Sequence, residues 1–215
     1  MGTPAEIYRH QSSGEEIANS ISHGIGFLGA AAITPVLIIA ALPLGAIAIV
    51  GVSIFGATMM LLYLSSTLYH AFPHSRTKRI FQIFDHSAIF LLIAGTYTPF
   101  TLVVFKGIWG WSLFGCVWAL ATVGVVFKSI QTPQTGKLSL ALYLGMGWMA
   151  VLAIKPLWNT LSAMGLFWIL AGGIFYSAGV IFFAYDHRIR YSHFVWHLFV
   201  LAGTTCHVIA LLGFL

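Results

Sequence analysis

Charge is scarce in this chain. Lys, Arg, Asp and Glu make up only 7% of the 215 residues, against roughly 25% in an ordinary soluble domain. With 59% hydrophobic residues and a mean hydropathy of +0.93, too few polar groups remain to cover a soluble globule. Soluble, disordered and fibrous classes are excluded, and an integral membrane protein is indicated. Cysteine is nearly absent as well. Cys116 and Cys206 both sit inside apolar stretches, so they read as packing residues and not as a disulfide framework. Ten basic residues face five acidic ones. They are scattered singly or in short clusters and form no patch suited to nucleic acid. The first sixteen residues carry Glu6, Glu15 and Glu16 and lack the basic start and apolar run of a cleavable signal peptide. The first apolar segment is therefore expected to act as an uncleaved anchor.

What the chain does have is long apolar runs. About 20 residues suffice for a helix to cross the hydrocarbon core. Seven segments qualify, near 17–41, 44–71, 82–104, 109–128, 138–154, 162–184 and 192–214. Breaks are expected at Pro43, at Phe72 to Arg79, at Lys106-Gly107, at Gln131 to Gly136, at Lys155-Pro156 and at Asp186 to Arg188. The runs are continuously apolar and do not alternate, which favours helices over a barrel. The expectation is an all-α fold: residues 1–16 as a short cytoplasmic tail, and 17–215 as a single seven-helix membrane domain.

Lys and Arg in the short loops predict its orientation. Eight lie on the N-terminal side (Arg9, Arg76, Lys78, Arg79, Lys128, Lys137, Arg188, Arg190), and Lys106 and Lys155 lie opposite. The excess places the N-terminus in the cytoplasm and, after seven crossings, the C-terminus outside.

Ionisable groups inside spans cost on the order of 3 kcal/mol at mid-helix, so each is a functional candidate. Helix 1 opens with Glu16, Asn19 and His23. Helix 2 ends with Ser66 and His70. Helix 3 begins near Asp85 and His86, and helix 7 begins with His193 and His197. The topology puts all of these near one membrane face. His193 and His197 are i and i+4, so both imidazoles point one way. With His70 they form the three-ligand pattern of a catalytic zinc with an open fourth position. Asn19 and His23 continue the stripe of Glu16 and could support those ligands from behind.

Plainer readings stand beside these. Glu16 could close a capping box with Ser13. Asp85 could pair with Arg76 or Arg79, or answer the dipole at a helix start. His86 is about 100° around the helix from Asp85 and would not face the same ion. His10, His74 and His187 read as surface residues. His207, about 21 Å along the helix from His193, reads as a packed polar group.

Four segments, Glu16 to His23, Ser66 to His70, Phe84 to Ser87 and Ser192 to His197, resemble the bacterial hemolysin III group. That group belongs to the progestin and adipoQ receptor family. Leu91 to Phe100 is also similar. The resemblance implies seven helices, a bacterial plasma (inner) membrane location, and a zinc ion held by His70, His193 and His197. It places Asp85 and Ser66 where the zinc-bound water is held. Related receptors and alkaline ceramidases imply hydrolysis of a lipid amide. In that reading Asp85 is general base, Ser66 orients the water or the oxyanion, and Glu16, Asn19 and His23 support the ligands. Membrane lipids are the implied partners. Without large terminal extensions no protein hormone is implied, and oligomeric state is not indicated. Rival readings are a regulator or sensor of membrane lipid state with structural zinc, a pore-forming cytolysin, and a haem protein. The polar residues cluster at one end, which disfavours the pore. No second helix matches the His193/His207 interval, which disfavours haem.

Overall fold

The computed structural model describes residues 11–73, 75–105, 107–130 and 135–215. Arg9, His10, His74, Lys106 and residues 131–134, where a break is expected, lie outside the described residues. The described chain is helical throughout, with seven helical stretches long and apolar enough to cross a membrane. They comprise α1 (Ser13–Ala41), α2 (Ala46–Ala71), α3 (Arg76–Pro99, extended by a π-helical turn, Phe100–Val104), α4 (Ile108–Ile130), α7 (Ala163–Ala184) and α8 (Ser192–Leu212). The remaining span, the fifth, is broken into α5 (Thr135–Gly147), a 3-10 segment (Trp148–Ala153) and α6 (Ile154–Thr160).

The first span turns its polar side inward. On α1 the exposed stripe is Ile17, Ile21, Ile25 and Leu28, each 58–67% exposed, while Asn19, Ser22, His23 and Gly26 are buried. That inversion suits a bundle whose solvent is hydrocarbon. Consecutive helices pack from α1 through α5, α7 packs on α8, and α8 closes back on α1. The fifth span reaches α7 through α6 and a 3.0 Å hydrogen bond from Trp148 Nε1 to Ser177 Oγ. Phe55, Phe90, Leu37, Val52 and Val117 form the fully buried centre.

Several boundaries differ from the sequence reading. Helix 1 starts at Ser13, capped by Ser12, whose Oγ accepts from Glu15 N–H while the Glu15 carboxylate accepts from Ser12 N–H. The capping box is thus Ser12 with Glu15, one residue earlier than Ser13 with Glu16, and Glu16 is left free for other work. The third span begins at Arg76 and not near 82, because Ser75 Oγ caps the Lys78 N–H. Asp85 consequently lies nine residues inside α3, about 14 Å from its start, beyond reach of the helix-terminus dipole. No pair of Asp85 with Arg76 or Arg79 forms among the described residues. Lys155-Pro156 does not end the fifth span. Pro156 falls in the first turn of α6, where its missing N–H breaks no hydrogen bond. Cys116 and Cys206 are both free thiols.

Candidate metal centre

Two helix ends bring three imidazoles together. His70 sits one residue before the end of α2, and His193 and His197 occupy the first two turns of α8. All three are buried, and one ligand atom from each lies within 4.8 Å of the others. Ring centroids are 5.1 Å apart for His70–His193, 5.1 Å for His70–His197 and 4.8 Å for His193–His197.

The start of α8 is fixed locally. Tyr191 adopts a left-handed conformation (φ 58°) at the cap. Its N–H donates to Glu15 Oε1 at 2.7 Å, and Ser192 Oγ donates to Phe182 O at 2.7 Å. Glu15 therefore closes the α1 cap and ties α8 to α1 at the level of the trio.

Each imidazole has its Nδ1 engaged from behind. His70 Nδ1 is 2.7 Å from Glu16 Oε2, and His193 Nδ1 is 3.0 Å from Asp186 Oδ2. His197 Nδ1 is 3.2 Å from Asn19 O and 3.0 Å from Ser22 Oγ. Carboxylates and carbonyls only accept, so these partners assign Nδ1–H and leave each Nε2 lone pair for the centre. His70 Nε2 is buried without a hydrogen-bond partner. A donor set of this kind, neutral imidazoles oriented by carboxylate and carbonyl acceptors, fits a zinc-class cation.

The other sequence candidates fall around this centre. Glu16 touches His70 directly. Asn19 supplies its carbonyl to His197 and its amide lies 3.5 Å from His70 Nδ1. His23 stacks on His197 with centroids 3.5 Å apart and rings within 6° of parallel. Its own ring nitrogens have no partner. Asp85 and Ser66 are buried beside the trio, and Asp85 does not belong to the group of mutually close ligand atoms. Ser66 Oγ lies close to the Asp85 carboxylate, short of full hydrogen-bond geometry. His207 packs as expected, its Nε2 3.3 Å from Ile169 O. Ser22, Lys78, Asp186 and Glu15 were not predicted from sequence. Ser22 alone carried a signal, lying on the same helical stripe as Asn19 and His23.

Each side of the trio lines a separate cavity. One, of about 390 Å³, is lined by His193, His197 and Asp85 at one end and by His207 and apolar side chains such as Leu62, Ile93 and Val200 along its length. The second, of about 520 Å³, opens beside Gln11, Glu16, His70 and Lys78 and is closed on its other sides by Ile17, Ile21 and Phe72. The trio thus has an apolar chamber on the side of His193 and His197 and a more polar vestibule on the side of His70.

The fold and the trio define a seven-span membrane protein with a buried histidine centre able to hold a metal ion. The haemolysin-III-related family model matches residues 11–208, and the chain belongs to that family. It is 47% identical to hemolysin-3 of Bacillus cereus over 88% of this chain and 87% of that one. It is 49% identical to the hemolysin-3 homolog of Bacillus subtilis (strain 168), over 88% and 89% respectively. A human monocyte to macrophage differentiation factor is 29% identical over 75% of this chain and 69% of its own. No solved structure matches. The spans and these bacterial relatives make the chain a multi-pass bacterial membrane protein.

Proposed function

We propose that the chain is a zinc-dependent hydrolase that cleaves an amide or ester bond of a membrane lipid. The observation that carries this reading is a trio with three protein ligands, not four, among the described residues, facing an apolar chamber beside a buried carboxylate. Zinc held by His70, His193 and His197 would acidify a water and polarise a carbonyl. Asp85 takes the proton from the attacking water and returns it to the leaving group. Ser66, whose hydroxyl has no direct hydrogen bond, donates toward the water or the developing oxyanion. The chamber holds an acyl chain, excludes bulk water and delivers the polar end of the lipid to Asp85. The polar vestibule beside His70 gives water a separate approach.

A regulator with structural zinc is the second reading. Structural sites are normally closed by four protein ligands, and the three-ligand cluster argues for catalysis instead. A pore is disfavoured, since the chamber walls are mainly apolar. The charge asymmetry supports placing the N-terminus and the trio at the cytoplasmic face. Membrane lipids are the partners this reading requires; neither nucleic acid nor a protein hormone has a place in it.

Metal analysis of the purified protein tests the centre, and release of fatty acid from lipid amides in mixed micelles tests the chemistry. One zinc per chain, lost in His193→Ala together with turnover, is expected. A wild-type protein free of metal would refute the proposal. Zinc without turnover on any lipid amide or ester would favour the regulator.

A further inference from the structure

Lys78 looks in sequence like one more cytoplasmic charge in a basic loop. In the structure it lies in the first turn of α3 and is only 6% exposed. Its ammonium donates to three acceptors: Glu16 Oε1 at 2.9 Å, Tyr69 O at 3.0 Å and Phe72 O at 3.2 Å. It also lies 4.8 Å from the centroid of the Tyr69 ring, a favourable cation–π distance. An ammonium has three N–H bonds, so no donor is left over for an anionic ligand or a lipid headgroup.

All of these contacts converge on one metal-ligand candidate. Tyr69 in the last turn of α2 and Phe72 at its C-cap lie on either side of His70, and their carbonyls are among those a helix end leaves unpaired. The positive charge there also complements the α2 dipole. Glu16 divides its carboxylate, Oε1 to Lys78 and Oε2 to His70 Nδ1. Without Lys78, Oε1 has no tether, and Glu16 can swing into the polar vestibule it lines. The trio draws one ring from α2 and two from α8, so its closure depends on where α2 ends. Glu15 holds α8 to α1, and Glu16 with Lys78 holds α2 and α3 to the same turn of α1.

We propose that Lys78 is a positioning residue for the histidine trio. Through Glu16 and the two α2 carbonyls it fixes the turn that carries His70 and the direction in which that ring presents Nε2. The effect on cation binding rests on the metal-centre reading above; the effect on the His70 ring does not.

Two readouts test it. The first is affinity for cobalt(II), followed by its ligand-field absorption in purified protein. The second is the ¹⁵N signal of His70 in metal-free protein, which reports which ring nitrogen carries the proton. Lys78→Met should weaken cobalt binding about ten- to a hundred-fold, the range typical of losing an outer partner of a ligand. Stoichiometry at saturation should remain one. Lys78→Arg should restore most of the loss, and Glu16→Gln should reproduce it. The double variant should fall well short of the product of the two single effects, since part of the influence of Lys78 passes through Glu16. In wild type His70 should read as Nδ1–H, and in Lys78→Met as a mixture of tautomers. Should Lys78→Met not fold, Lys78→Gln keeps two N–H donors without the charge and carries the same expectation in direction. Wild-type affinity with unchanged His70 signals in these variants would overturn the proposal, as would simple multiplication of the two single effects. A wild-type protein that binds no cobalt would refute the metal reading and leave the His70 signals to decide the role of Lys78.

Discussion

Asp186, in the turn between α7 and α8, places Oδ2 3.0 Å from His193 Nδ1. The same relation joins Glu16 to His70, so two of the three imidazoles are backed by carboxylates from outside their own helices. Such partners fix tautomer and ring direction and raise ligand basicity. Asp186→Asn should therefore lower zinc affinity about ten- to a hundred-fold while retaining one site per chain at saturation. Competition with a chromophoric chelator measures this, and unaltered affinity would mean the contact orients nothing.

Asp85 offers the complementary case. It lies beside the trio but outside the ligand group. As general base it should matter for turnover and little for metal. Asp85→Ala is expected to keep one zinc per chain and to lose lipid hydrolysis by about 10²- to 10⁴-fold. Loss of zinc in this variant would instead make Asp85 a ligand, and the site a closed structural one.

The spans were legible because apolar runs of membrane length have few other uses. The trio was legible because His193 and His197 share a helix face and the topology sets His70 at their level. The outer partners were less so. Asp186 reaches His193 across a reverse turn whose shape no periodicity encodes. Lys78 stands among basic residues that all look like topology charges, and only the early start of α3 turns it inward. Ser12 with Glu15 and Ser13 with Glu16 satisfy the same capping pattern, and the sequence Ser12-Ser13-Gly14-Glu15-Glu16 cannot choose between them. The extra link from Glu15 to Tyr191 N–H accompanies the first. That outcome releases Glu16 for His70.

The broken fifth span depends on Tyr97. Its hydroxyl donates to Gly147 O at 2.8 Å and accepts from Ala150 N–H at 2.8 Å, so one side chain on α3 stitches the junction of α5 with the 3-10 segment. Tyr97→Phe strips a partner from both backbone groups and should cost about 1–3 kcal/mol. Thermal unfolding in detergent reads the loss. Hydrogen exchange should locate it at 147–151, and protection there equal to wild type would count against this role.

Gly95 lies where α3 crosses α2. A Cβ at this position would overlap the side chain of Thr58, which is held in place by its 2.9 Å hydrogen bond to Phe55 O. Packed interiors yield little, and an inserted methyl forces backbone shifts costing about 1–3 kcal/mol. Gly95→Ala should therefore lower the unfolding temperature, and Thr58→Ala in the same chain should recover part of the loss by removing the nearest atom. Because α2 ends in His70 and α3 carries Asp85 and Lys78, the single variant should also weaken cation affinity. An unfolding temperature and affinity both at wild-type level would show that the α2–α3 interface has slack that the close approach of Gly95 to Thr58 does not suggest.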